Sequence, residues 1–193
     1  MKAICGKCKA RVKIKDDSGE NEVFFNCPIC KTKNKLKLPK NQKMTEEKTI
    51  VQSSLGDVKG WLVVHDESTS QQTLTLKSGK NVVGRKSESK PCEVMVDTED
   101  SYMSRNHFSI EISLGNKGLE YLVFDVTSTN GTFINANKNN KLSQTDQVYL
   151  QDGDTIQAGR TKMVLRTKKM AGTAKNATNT VINTKPLQTI IVT

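Results

Sequence analysis

The sequence predicts an all-β protein, a sandwich or barrel preceded by a small cysteine-rich module. Three observations carry that prediction. Between residues 58 and 168, short apolar segments recur at roughly ten-residue spacing, separated by Gly, Asn, Asp or Ser. No stretch sustains the i, i+3, i+4, i+7 apolar spacing of an amphipathic helix. Near the N-terminus two Cys-x-x-Cys pairs, Cys5/Cys8 and Cys27/Cys30, bracket a segment that reads as strand, turn, strand.

The cysteine module occupies residues 1–38. Each Cys-x-x-Cys can form a tight knuckle that presents two thiolates, with Gly6 and Pro28 inside the loops. A hairpin between the knuckles, turning at Asp16-Asp17-Ser18-Gly19, is expected to bring the four sulfurs into one tetrahedral site. The spacing favours a Cys₄ zinc site, and the alternatives are two redox pairs or an iron site. A thioredoxin-like pair would need a βαβ context that this segment lacks. In its cysteine spacing the module resembles a rubredoxin-like zinc ribbon, which implies a structural Zn²⁺ held by Cys5, Cys8, Cys27 and Cys30. Four protein ligands leave no open position for a catalytic water. The remaining cysteine, Cys92, reads as a small buried or loop residue. Lysines crowd the module, and a nucleic acid is one partner such a face would suit.

Residues 39–57 are polar and read as a flexible linker containing Thr49. Ten strands are then predicted, at 61–65, 73–76, 82–84, 94–96, 107–114, 119–125, 132–134, 147–150, 155–158 and 163–166. Residues 169–193 are rich in Thr, Asn, Ala and Lys and read as a disordered tail, in which Thr189 precedes three apolar residues.

The chain has 193 residues and a formal charge of +10, which favours acidic partners: nucleic acid, phosphorylated protein or an anionic surface. No run of apolar residues is long enough to span a bilayer, so no membrane association is expected. Cysteines suited to metal rather than disulfides point to a reducing, cytoplasmic setting.

The stretch "DVTSTNGTFIN", residues 125–135, holds the strongest short hairpin signal, Asn130-Gly131. Three hydroxyl residues, Thr127, Ser128 and Thr129, stand beside it, more than a two-residue turn needs. Ser128 is expected to pin the turn and Thr129 to face a ligand. Upstream, "VVGR" places Arg85 after a glycine at a strand end, and "SYMSRNHFSI" places Ser104, Arg105 and His107 just before a strand. Downstream lies "LQDGDTIQAG". A phosphothreonine carries close to two negative charges and three acceptor oxygens, and a guanidinium with nearby hydroxyl and N–H donors suits it.

That ordered set (GR, S-x-x-H, S-x-N-G-T, L-x-x-G-D-x-I-x-x-G) resembles a forkhead-associated (FHA) domain across essentially the whole β segment. The resemblance implies an eleven-stranded β-sandwich whose apical loops bind phosphothreonine peptides. It implies that Arg85, Ser104 and Arg105 contact the phosphate, Thr129 positions the phosphothreonine, and Asn130 holds the peptide backbone. Gly84, His107 and Gly131 would be structural. Thr49 resembles the N-terminal phosphorylation motif of small bacterial FHA regulators, so phosphorylation there, or at Thr189, would create an internal ligand.

The expected protein is a non-enzymatic adaptor in Ser/Thr kinase signalling that docks onto a phosphothreonine-bearing protein. The alternative is a nucleic-acid-binding regulator in which the FHA domain senses phosphorylation. No nucleophile–base pair and no open metal position accompany His107, so no catalysis is expected.

Overall fold

Alternation of side chains across a pleated strand builds the centre of the molecule. In residues 108–115, Phe108, Ile110 and Ile112 are buried, while Glu111 and Ser113 of the opposite parity face outward. The computed structural model describes residues 1–15, 22–37, 57–65, 70–135 and 141–183. Linker residue Thr49, tail residue Thr189 and the Asp16–Gly19 turn lie outside the described residues.

The N-terminal module contains strands β1 (Lys2–Ile4), β2 (Arg11–Lys13), β3 (Glu22–Asn26) and β4 (Lys33–Lys37). The expected hairpin between the knuckles is not how they pair. β1 pairs with β2 and β3 with β4, so each Cys-x-x-Cys forms the tip of its own hairpin. The two tips are built alike. Cys5 N–H donates to the Ala10 carbonyl and Lys9 N–H to the Cys5 carbonyl. Cys27 N–H donates to the Thr32 carbonyl and Lys31 N–H to the Cys27 carbonyl. The residue after each second cysteine turns the chain through positive φ, Lys9 at 61° and Lys31 at 55°.

The sandwich follows: β5 (Val58–Val64), β6 (Gln72–Lys77), β7 (Gly79–Arg85), β8 (Val94–Val96), β9 (Phe108–Gly115), β10 (Gly118–Asp125), β11 (Thr132–Ile134), β12 (Val148–Leu150), β13 (Thr155–Ala158) and β14 (Thr161–Thr167). One sheet has the order β1-β2-β12-β10-β9-β7-β8, the other β11-β13-β14-β5-β6. The inward residues of both, among them Leu62, Leu76, Val83, Phe108, Ile156 and Leu165, are fully or almost fully buried and form one core.

The first hairpin of the cysteine module, β1 and β2, is therefore part of the larger sheet, while β3 and β4 form a two-stranded sheet of their own. Val12 and Arg11 of β2 pair with Val148 and Tyr149 of β12, and Lys13 N–H donates to the Gln147 carbonyl at 2.9 Å. Val12, Cys5, Cys27 and Ile29 join the same core cluster. The module thus covers an edge strand that would otherwise expose unpaired backbone groups.

The tail is corrected over its first half. Helix α1 (Lys168–Ala171) and helix α2 (Ala174–Asn183) follow β14 directly. Thr173 caps α2, its side-chain oxygen accepting from Asn176 N–H at 3.2 Å. Ala177 and Val181, four residues apart, share a face and bury against Trp61 and Val63 on the outer side of β5. β5 is apolar on both faces because the core takes Leu62 and Val64 while the helices take Trp61 and Val63.

Candidate functional site

Three strand ends meet at one apex. β7 ends in Gly84 and Arg85. The segment 104–107 leads into β9, and 126–131 connects β10 to β11. His107 N–H donates to the Val83 carbonyl and Arg85 N–H to the Ser104 carbonyl, so the 104–107 segment lies along the end of β7. Gly84 permits this: a Cβ there would sit 1.9 Å from the Arg105 carbonyl oxygen.

His107 ties the segments together. It is fully buried. Its Nδ1 accepts from Ser104 N–H at 2.9 Å, and its Nε2 lies 3.0 Å from the Gly131 carbonyl oxygen. With Nδ1 accepting, Nε2 must carry the proton and donate, which defines the neutral Nε2–H tautomer. Burial holds its pKa below the ordinary value.

The hydroxyls beside Asn130-Gly131 divide their work. Asp125 accepts from Ser128 N–H (2.8 Å), Ser128 Oγ–H (2.6 Å) and Thr132 Oγ1–H (2.7 Å), and Gly131 N–H donates to Ser128 Oγ (2.9 Å). Ser128 is thus the pin of the turn. Gly131 has a φ of 86°, open to glycine at little cost. Thr127 has a φ of 68°, a strained conformation for a β-branched residue, and it faces the site. Thr129 N–H donates to Ser104 Oγ at 3.2 Å. The Ser104 hydroxyl donates to no group among the described residues, so its proton is available to a ligand.

These residues border a cavity of about 520 Å³. Arg85, Ser104, Arg105 and Thr129 line it, four of the five residues expected to bind a ligand. Asn130 does not: its Nδ2 donates to the Tyr102 carbonyl at 2.8 Å, which leaves Oδ1 as the group it can offer. Arg85 Nε donates to the Met103 carbonyl at 3.2 Å, an anchor that leaves the terminal nitrogens for other acceptors. Lys80, Lys90, Ser101 and Thr127 also line the cavity. Strand alternation puts Lys80 on the face of Val82 and Gly84 rather than that of Arg85, so the sequence pattern did not place it at the site. Lys90, in the polar run "KSESKP", carries no signal either. Four cations and no carboxylate line the wall. That chemistry suits a multiply charged oxyanion with several acceptor oxygens.

At the other site, the Sγ atoms of Cys5, Cys8, Cys27 and Cys30 all lie within 4.8 Å of one another. Cys5 and Cys30 sulfurs are 3.5 Å apart and those of Cys8 and Cys27 3.6 Å, too long for disulfides. Four thiolates about 2.3 Å from one ion would sit about 3.8 Å apart, so the cluster fits a tetrahedral metal. Burial pushes the Cys27 thiol up to about 12, and a bound cation would overcome that by stabilising the thiolate. Asn34 Nδ2 approaches Cys5 Sγ at 3.6 Å, a supporting donor to the sulfur. Lys31 Nζ donates to the Lys141 carbonyl, joining the second knuckle to the sandwich. Cys92 stands apart, half-buried with its Sγ directed at the Val94 carbonyl.

Residues 81–159 match the family model of the FHA domain. The chain is 30% identical to a solved structure from a study of phosphothreonine-dependent FHA domain interactions, covering 56% of this chain and 95% of that one, with a TM-score of 0.43. It is 28% identical to the FhaA FHA domain complexed with the intracellular domain of Rv3910, covering 55% of this chain and 99% of that one (TM-score 0.42). It is 24% identical to the FHA domain of the CT664 protein from Chlamydia trachomatis, covering 56% and 96% (TM-score 0.44). No curated protein matches the chain. The β segment is thus an FHA domain, and the chain belongs to the FHA family. No helix among the described residues is long and apolar enough to cross a membrane.

The His107 clamp has a pH signature. The unfolded chain takes up a proton near pH 6.5 that the folded imidazole refuses, so the clamp's contribution is complete above that pH and is lost as pH falls. His107→Gln is expected to cost about 2 kcal/mol at pH of about 7.5. The difference in unfolding free energy between the two proteins, measured by urea titration, should shrink towards pH of about 5.5. A difference that does not change with pH would contradict the buried neutral imidazole.

Proposed function

We propose that this protein is a phosphothreonine-dependent adaptor that docks onto proteins marked by a Ser/Thr protein kinase. One observation carries the reading: Arg85, Ser104, Arg105 and Thr129, from three separate strand ends, border a single cavity whose wall has no carboxylate. In this reading the Arg85 and Arg105 guanidiniums and the Ser104 hydroxyl hold the phosphate oxygens. Thr129 packs against the phosphothreonine side chain. Asn130 accepts from a peptide N–H through its free Oδ1. Gly84, His107 and Gly131 keep the two loops at the correct separation. The protein docks and releases; it performs no chemistry on the phosphate.

The Cys₄ cluster holds a structural Zn²⁺ in this reading. Cys5, Cys8, Cys27 and Cys30 are its ligands, and the ion stiffens the two knuckles that seat β2 against β12. Elemental analysis should find one zinc per chain, and none in Cys5→Ser/Cys27→Ser. A metal-free protein that retains β1 to β4 would remove the role of the ion.

Thr49 and Thr189 are the candidate phosphorylation sites. Either one, once phosphorylated, supplies an internal ligand that competes with partners.

Calorimetric titration of a degenerate phosphothreonine peptide library and its unphosphorylated twin tests the function. Binding is expected to require the phosphate and to weaken at least about tenfold in Arg85→Ala, the equivalent of one lost charge-assisted hydrogen bond. Phosphorylated full-length protein should bind the external peptide more weakly than the unphosphorylated form. Equal binding of both peptides to the wild-type protein would replace this function with a phosphate-independent scaffold.

A further inference from the structure

The cavity is larger and more basic than a single phosphothreonine requires. Arg85, Arg105, Ser104 and Thr129 account for the phosphate, yet the same cavity extends to Lys80 and Lys90. Both lysines are exposed, and neither forms an ion pair among the described residues. Lys86, in the same loop region, is by contrast paired with Asp97 at 3.0 Å. Two unpaired ammonium groups facing a space already bordered by two guanidiniums repel one another, and an additional anion relieves that repulsion.

We propose that the cavity holds a peptide bearing two negative groups: the phosphothreonine on Arg85, Ser104 and Arg105, and a second phosphate or carboxylate on Lys80 and Lys90. This rests on the phosphothreonine reading given above. It extends that reading to selectivity, since preferred partners carry clustered phosphorylation or an acidic residue at one fixed distance from the phosphothreonine. Lys80 sits on β7 and Lys90 in the connection to β8, so the distance between the two charges is set by the sandwich framework at one end.

Fluorescence anisotropy of labelled peptides tests the proposal. A fixed phosphothreonine is combined with a second phosphoserine, or a Glu, walked from four residues before it to four after it. At one position the phosphoserine should raise affinity about tenfold over the singly phosphorylated peptide, and Glu by a smaller factor, with the gain shrinking as salt is raised. The ratio of the two affinities should fall to about two or less in Lys80→Ala/Lys90→Ala. A gain from phosphoserine alone assigns the subsite to phosphate, and a gain from both assigns it to any acidic group; each supports the proposal. A ratio near one at every position, with the singly phosphorylated peptide still binding, overturns the second subsite and leaves the adaptor function standing. A gain that survives in the double variant also overturns it. Failure of the singly phosphorylated peptide to bind overturns the adaptor function, and this inference with it.

Discussion

The site depends on one buried imidazole. His107 accepts from the Ser104 N–H on one side and reaches the Gly131 carbonyl on the other. Ser104 and Gly131 belong to segments separated by an entire hairpin, β9 and β10. Without the ring, each segment would have to satisfy its polar backbone group with water. The ring is neutral because it is buried, and its tautomer is defined because one nitrogen must accept. The clamp then sets the distance between Ser104 and Thr129, whose direct hydrogen bond completes the contact between the loops. A cation site assembled before the ligand arrives loses less conformational freedom on binding, which raises affinity without any further contact.

The rest of the molecule protects the surfaces that this framework exposes. A sandwich of two sheets leaves strand edges and outer faces. The edge at β12 is covered by β2, and the outer face of β5 by α1 and α2. The two coverings come from opposite ends of the sequence, and the first shares the sandwich's core through Val12, Cys5, Cys27 and Ile29. The cysteine knuckles matter here because a module of about forty residues buries too little apolar surface to fold by itself, and a metal and a neighbouring sheet are two sources of the missing stability.

Much of the sandwich was legible. Strands at 94–96, 132–134 and 155–158 coincide with β8, β11 and β13, since each is a run of three or four residues whose side chains alternate in burial, which leaves little freedom of register. The role of Ser128 followed from chemistry that acts locally, a turn hydroxyl. Three features were not legible. The pairing within the cysteine module depends on which partner each strand finds, and β2 finds β12 nearly 140 residues away. Helix α2, "AKNATNTVIN", is built from Asn and Thr, which have poor helix propensity; it is held by burial of Ala177 and Val181. Its clue lay in β5, where Trp61 and Val63 alternate with Leu62 and Val64 and so require a second apolar layer. Lys80 and Lys90 are separated from Arg85 in sequence, and only the folded cavity places them beside it.

The most direct test of the account is the nitrogen-15 spectrum of the His107 imidazole, recorded with and without a phosphothreonine peptide; with only two histidines in the chain, its signals can be assigned by a single substitution at His65. The account predicts a bare Nδ1 and a protonated Nε2 at neutral pH, unchanged when the peptide binds, because the two loops are already clamped. A protonated Nδ1, or a change of tautomer on binding, would contradict it and make the site one that the ligand assembles.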